Sequence, residues 1–168
     1  MARIAFPLAD MYEDSEFERP WKAAQEAGHE VAVIGLERGE VTGKKGGKTV
    51  VDMTVSEVRP DEFDAMVIAG GYSPDKLRVD PGTVEFVREM VESGKPVAVI
   101  CHAGWLLAEA DVLRGRRVTS VRNIKTDLVN AGADWVDEEV VVDGNLITSR
   151  NPKDLPAFID TLLEHVKG

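Results

Sequence analysis

Four short runs, residues 3–8, 29–34, 65–69 and 96–100, restrict this chain more than any other feature, because they are apolar at successive rather than alternate positions. A strand with one wet face alternates in polarity, whereas a run that is apolar throughout is buried on both faces. The segments between the runs carry helical spacing. Val84, Val87, Met90 and Val91 recur on one helical face, with Asp80-Pro81 as an opening signal and Gly94 as a stop. Strand and helix therefore alternate, which predicts an α/β fold with a mostly parallel sheet and helices on both faces. Ligands of such sheets sit beyond the carboxyl ends of the strands. The loops at residues 9–14, 70–78 and 101–104 follow apolar runs and are expected to crowd one edge.

The remaining segments fit this frame. A helix capped by Asp14 or Ser15 is expected to run to Ala27 and stop at Gly28, with a kink or break at Pro20. Residues 39–55 read as a hairpin or an excursion at the sheet edge. A helix is expected from the Cys101 turn to about Leu113, a short strand at residues 118–120 and a helix at 124–131. A hairpin turns at Asp143-Gly144, and a last helix capped by Asp154 runs through Val166. With 168 residues and no linker or repeat, the expectation is one domain over 1–168.

Composition limits the function classes. The chain is 43% hydrophobic and 30% charged, as in a soluble globular protein. A formal net charge of −10 repels nucleic acid and anionic membranes, so neither is an expected partner. A single cysteine excludes an internal disulfide. The N-terminus is too short in apolar residues for a signal-peptide core and no run reaches bilayer length, so a cytoplasmic location is expected. The stretch TGKKGGKT at residues 42–49 lacks the first glycine of a phosphate-binding loop and leads into a β-rich run. It reads as a hairpin, and no cofactor is expected. His29, His102 and His165 lie far apart, and no metal-ligand spacing is present. Trp21, Trp105 and Trp135 read as packing or interface residues.

The chemistry concentrates at Cys101-His102. A cysteine between a strand end and a helix start stands clear of its neighbours, over unpaired N–H groups that favour a thiolate. An adjacent His does not by itself make a dyad, because a third group must hold the imidazole. Gly70-Gly71 is either a strand-ending turn or the source of an N–H for a developing oxyanion. Glu13 is by default a solvated carboxylate; buried beside the thiol, it would be raised in pKa and become a hydrogen-bond donor to sulfur. Asp75 is by default a turn or cap residue, and its alternative role is to orient His102.

The segments FDAMVIAGGYSPDKLR, AVICHAGWLLAEADVLRGRRVTS and NIKTDLVNAGADWVDEEVVVDGNLITSRNPKDLPAF together resemble the PfpI family of intracellular cysteine peptidase-like proteins, within the class I glutamine-amidotransferase-like superfamily. The resemblance covers nearly the whole chain. It implies a flavodoxin-like three-layer sandwich with Cys101 on a nucleophile elbow, His102 as catalytic histidine and Glu13 as the acid that hydrogen-bonds the nucleophile. It also implies that Asp75, where some relatives carry Glu, reaches His102 from a neighbouring subunit, so a homodimer or hexamer is expected. Gly71 and Ala103 are the expected oxyanion donors. Three activities follow as expectations: a stress-related cysteine hydrolase acting on peptides, a glyoxalase III or protein deglycase acting on methylglyoxal or its adducts, or a redox stress sensor working through Cys101 oxidation.

Overall fold

A computed structural model of the chain describes residues 1–167; Gly168, the last residue of the expected domain, lies outside the described residues. In chain order the elements are β1 (Arg3–Pro7), α1 (Asp14–Glu26), β2 (Glu30–Gly35), β3 (Glu40–Thr42), β4 (Lys48–Val50), β5 (Met53–Thr54) and β6 (Ala65–Ile68). Then follow α2 (Ser73–Leu77), α3 (Pro81–Glu92), β7 (Val97–Ile100), α4 (Gly104–Glu109), β8 (Arg117–Val118) and α5 (Lys125–Asn130). The chain ends with β9 (Asp134–Trp135), β10 (Val140–Asp143), β11 (Leu146–Ser149) and α6 (Leu155–Val166). Seven strands form the central sheet in the order β10-β11-β7-β6-β1-β2-β5. Within this sheet, among the described residues, only the β10–β11 hairpin is antiparallel.

The continuous apolar runs are explained by the pleat. Val97 and Val99 of β7 face the layer made by α3, α4 and α5, where Phe86, Met90, Leu106 and Leu128 pack. Ala98 and Ile100 face the opposite layer, where α1 and α6 supply Phe17, Ala24, Phe158 and Leu162. Successive residues of a strand point to opposite faces, and both faces here are dry. The result is the α/β sandwich with helices on both faces that the sequence predicts.

Three local expectations are corrected. Helix α1 runs unbroken through Pro20. The missing N–H removes one i→i−4 bond, and burial of Phe17, Pro20 and Ala24 on one face holds the helix together. Helix α4 stops at Glu109 rather than near Leu113, where Asp111 takes a positive φ of 55°. Asp154 does not use its side chain as a cap, because both its oxygens accept from Arg150 at 2.9 to 3.0 Å.

Topology places the site. The strands depart to opposite sides of the β1–β6 boundary, so the carboxyl ends of β1 and β6 flank a switch point. β7 is the next strand, and it ends at Cys101.

Candidate active site

The three loops expected at one edge are bonded to one another. The Tyr72 N–H donates to Met11 O at 2.8 Å, and the Glu13 N–H donates to Gly70 O at 3.1 Å. Tyr12 and Gly71 form an isolated β-bridge. Gly71 is required twice over: its φ is +79°, and a Cβ there would lie 2.5 Å from the Glu13 nitrogen and 2.6 Å from Met11 O. Gly71→Ala is expected to lower stability by about 1–3 kcal/mol, read as a reduced urea midpoint, because it adds both strain and a clash with backbone. Gly70 is excluded from carrying a side chain by the site itself, since a Cβ would sit 2.5 Å from Glu16 Oε1 and 2.7 Å from Cys101 Cβ.

Cys101 follows the last residue of β7 and has φ +62°, a conformation that costs a non-glycine residue free energy. A turn of 3₁₀ helix, Cys101–Ala103, leads from it into α4. The elbow aims two backbone N–H groups at the sulfur, those of Gly71 and His102. Gly71, expected as an oxyanion donor, is therefore one of the two; the other expected donor, Ala103, is buried inside the turn. The positive φ at Cys101 turns the chain at once, so the next amide lies by the sulfur. His102 Nδ1 lies 3.3 Å from Cys101 Sγ.

The acid beside the thiol is Glu16, not Glu13. Glu13 closes the start of α1: its carboxylate accepts from Ser15 N at 3.3 Å and Ser15 Oγ at 2.8 Å, with Lys44 and Lys45 at 3.4 and 3.3 Å. Burial pushes the Glu13 carboxyl up, but Ser15 and Lys45 outweigh it and hold the group below its ordinary range. Glu16, one turn further into α1, has no exposed surface. Its Oε1 accepts from the Gly70 N–H at 2.8 Å, and the carboxyl lies beside the Cys101 thiol. Oε2 is buried with no hydrogen-bond partner among the described residues. Burial, and then the charge of Glu13, push this carboxyl up to about 7 against the pull of the Gly70 N–H and Lys44.

The thiol does not start as the low-pKa group expected from the sequence. Burial first, then the Glu16 charge, push it up to about 12, while the His102 and Gly71 N–H groups and Lys44 act in the opposite sense. The six residues of α4 give little helix dipole to offset this. Two anions do not coexist in this volume, so thiol and carboxyl keep at least one proton between them near neutrality. When Glu16 carries it, the repulsion vanishes and an O–H donor faces the thiolate.

Lys44 enters from the stretch read as a hairpin. The β3–β4 hairpin docks on the start of α1 through Lys44 N to Tyr12 O at 2.9 Å and Gly47 N to Asp14 Oδ2 at 2.8 Å. Burial and the Lys44 charge both lower the pKa of His102, leaving a neutral imidazole at pH 7. Asp75 is exposed on α2 and makes no side-chain hydrogen bond within the described residues of its own chain. Among the described residues, no group of three or more His, Cys, Asp or Glu side chains is arranged to hold a metal ion. No helix of the described residues is long and apolar enough to cross a membrane.

A family model described as the DJ-1/PfpI family matches residues 2–165. Protein/nucleic acid deglycase 2 of Escherichia coli is 52% identical over 93% of this chain and 92% of its own. Deglycase PfpI of Pyrococcus furiosus is 46% identical over 98% of this chain and 99% of its own. A crystal structure from Anabaena variabilis, a two-domain protein with DJ-1/ThiJ/PfpI-like and ferritin-like domains, is 45% identical with a TM-score of 0.96. The match covers 98% of this chain and 48% of that one, so this chain spans about half the length of the two-domain protein.

Proposed function

This chain belongs to the DJ-1/PfpI family, and from that premise we propose that it is a cysteine-dependent deglycase, acting on 2-oxoaldehydes such as methylglyoxal and on their adducts. Its close relatives make it an enzyme of the cysteine hydrolase or deglycase kind. The observation that carries the finer reading is the Cys101–Glu16 pair beneath two N–H groups. This is a nucleophile with an acid beside it and donors already aimed at developing charge.

In the proposed reaction the thiol proton passes to the neutral His102 Nδ1, and the thiolate adds to the aldehyde carbon to give a hemithioacetal. Moving a proton from that carbon to the adjacent one through an enediol gives a thioester of a 2-hydroxy acid. Water hydrolyses the thioester and restores the thiol. The net change adds one water to the 2-oxoaldehyde and gives a 2-hydroxy acid, with no external oxidant or reductant. With an adduct as substrate, the amine or thiol that carried the aldehyde is released unchanged. Peptide hydrolysis through an acyl-enzyme uses the same thiolate and is the competing reading.

The test is a side-by-side assay on protein of known native mass, with methylglyoxal, methylglyoxal-modified N-acetylarginine and casein-like peptides. Formation of lactate with release of unmodified arginine supports the proposal. Turnover of peptides alone would transfer the site to the peptidase reading. Turnover of neither, with selective oxidation of Cys101 by peroxide, would favour the redox sensor.

Asp75 is proposed to complete the site from a second copy of the chain, holding the imidazole edge turned away from the sulfur. Reassembling Cys101→Ser chains with Asp75→Ala chains is then expected to restore activity, to about a quarter of wild type for a randomly mixed dimer. No recovery sinks the shared site.

A further inference from the structure

We infer that Trp105 is the positioning residue that holds the His102 imidazole against Cys101 from within the same chain, through an indole pinned at two points. The imidazole and indole centroids lie 5.1 Å apart with planes inclined at 54°. The indole Nε1–H donates to Asp127 Oδ2 at 2.8 Å, which fixes the rotation of the ring. The Arg78 guanidinium lies over the indole, 5.5 Å from its centroid, and is itself tethered by its Nε–H to Glu109 at 3.0 Å. Trp105 is half-buried and packs against the core layer of α3, α4 and α5. The platform therefore has an apolar base, a hydrogen bond at one edge and a cation on its ring.

Each part comes from a different element, and close packing brings them together. Asp127 lies on α5, and α4 and α5 approach closely where Gly104 meets Leu128: a Cβ on Gly104 would sit 3.0 Å from Leu128 Cδ1. Arg78 directly follows α2, the helix that carries Asp75. The only hydrogen-bond contact of the His102 ring among the described residues is the one to Cys101, so the tilted contact with Trp105 is what the same chain supplies to fix the ring plane. Holding a catalytic group within a fraction of an ångström of its working position matters steeply for rate. The charged and titratable groups around the two rings are Cys101, Glu16 and Lys44 on the sulfur side, and Arg78, Glu109 and Asp127 around the indole.

The inference rests on His102 serving Cys101, as in the proposed function, but its test needs no substrate. The rate of Cys101 alkylation by iodoacetamide is followed from pH 5 to 9 in the wild type and in His102→Asn, Trp105→Leu, Trp105→Phe and Asp127→Ala. Circular dichroism and thermal melting establish that each variant is folded. His102→Asn is expected to slow alkylation near neutral pH and change the shape of the profile. Trp105→Leu should reproduce that profile, with a loss of about tenfold. Trp105→Phe should recover most of it, because a ring is restored. Asp127→Ala changes only an exposed side chain, so it remains informative if Trp105→Leu does not fold; it should move the profile in the same direction by about threefold. A wild-type profile in folded Asp127→Ala, or in folded Trp105→Leu, overturns the inference whichever substrate the enzyme turns over.

Discussion

Cys101→Ser is expected to reduce turnover of methylglyoxal and its adducts by on the order of 10⁴-fold or more while leaving the fold intact. The substitution changes one atom, and the strained φ of +62° is already tolerated by a side chain of this size. A serine hydroxyl at this elbow has the same two N–H groups and the same acid beside it, yet it ionises far less readily than a thiol and is a weaker nucleophile at neutral pH. The His102 Nδ1, kept neutral by burial and Lys44, lies close to the sulfur position and would accept a hydroxyl proton poorly in a site not built as a serine triad. The comparison is made at saturating substrate, with a melting curve beside it. If the variant keeps full turnover at unchanged stability, the chemistry does not run through this residue, and the proposed mechanism fails with it.

The parts of this site that were legible in the sequence are those fixed by backbone. The abrupt end of the 96–100 run at Cys101 and the Gly-Gly ending of the 65–69 run follow from strands buried on both faces, and such strands declare themselves at every position. What was not legible is the direction of side chains. Glu13 lies in the right loop, and its N–H does bond Gly70, but its carboxylate folds back to start α1. Glu16 carried a signal of its own. With Pro20 and Ala24 it forms a stripe at i, i+4, i+8 on the buried face of α1, and a carboxylate on such a stripe is unusual enough to mark a site. Lys44 was hidden in the 42–49 stretch, which the sequence reads only as a hairpin. In the fold, Gly43 and Gly47 are bare because Asp14 fills the space their side chains would take. The Trp105 platform depends on a contact between residues 22 apart and on a glycine at the crossing of two short helices. Helical spacing within one element reports neither.

Glu16→Gln should remove the fall in stability that Glu16 imposes between pH 4.5 and about 7. A carboxyl with an ordinary value of 4.5 is pushed up to about 7 here by burial and the Glu13 charge, so folding favours its protonated form. Because the folded-state pKa is the higher one, the contribution of Glu16 is fully present below about pH 4.5 and is lost as pH rises through about 7. The loss across that window is about 3 kcal/mol. Glutamine fills the same space, its amide oxygen can accept from the Gly70 N–H at the Oε1 position, and its amide group can donate toward Cys101 without titrating. The variant is therefore expected to match the wild type near pH 4.5 and to exceed it by about 3 kcal/mol at pH 8, read from urea midpoints at a constant slope. The opposite sign is expected of Glu13→Gln. That carboxyl is held low by Ser15 and Lys45, so its contribution is present above its ordinary value and lost on acidification. Parallel stability curves for wild type and Glu16→Gln from pH 4.5 to 8 would mean that Glu16 ionises as an ordinary carboxylate. The coupled thiol–carboxyl pair would then not exist, and the thiolate would have to be stabilised by the two N–H groups and Lys44 alone.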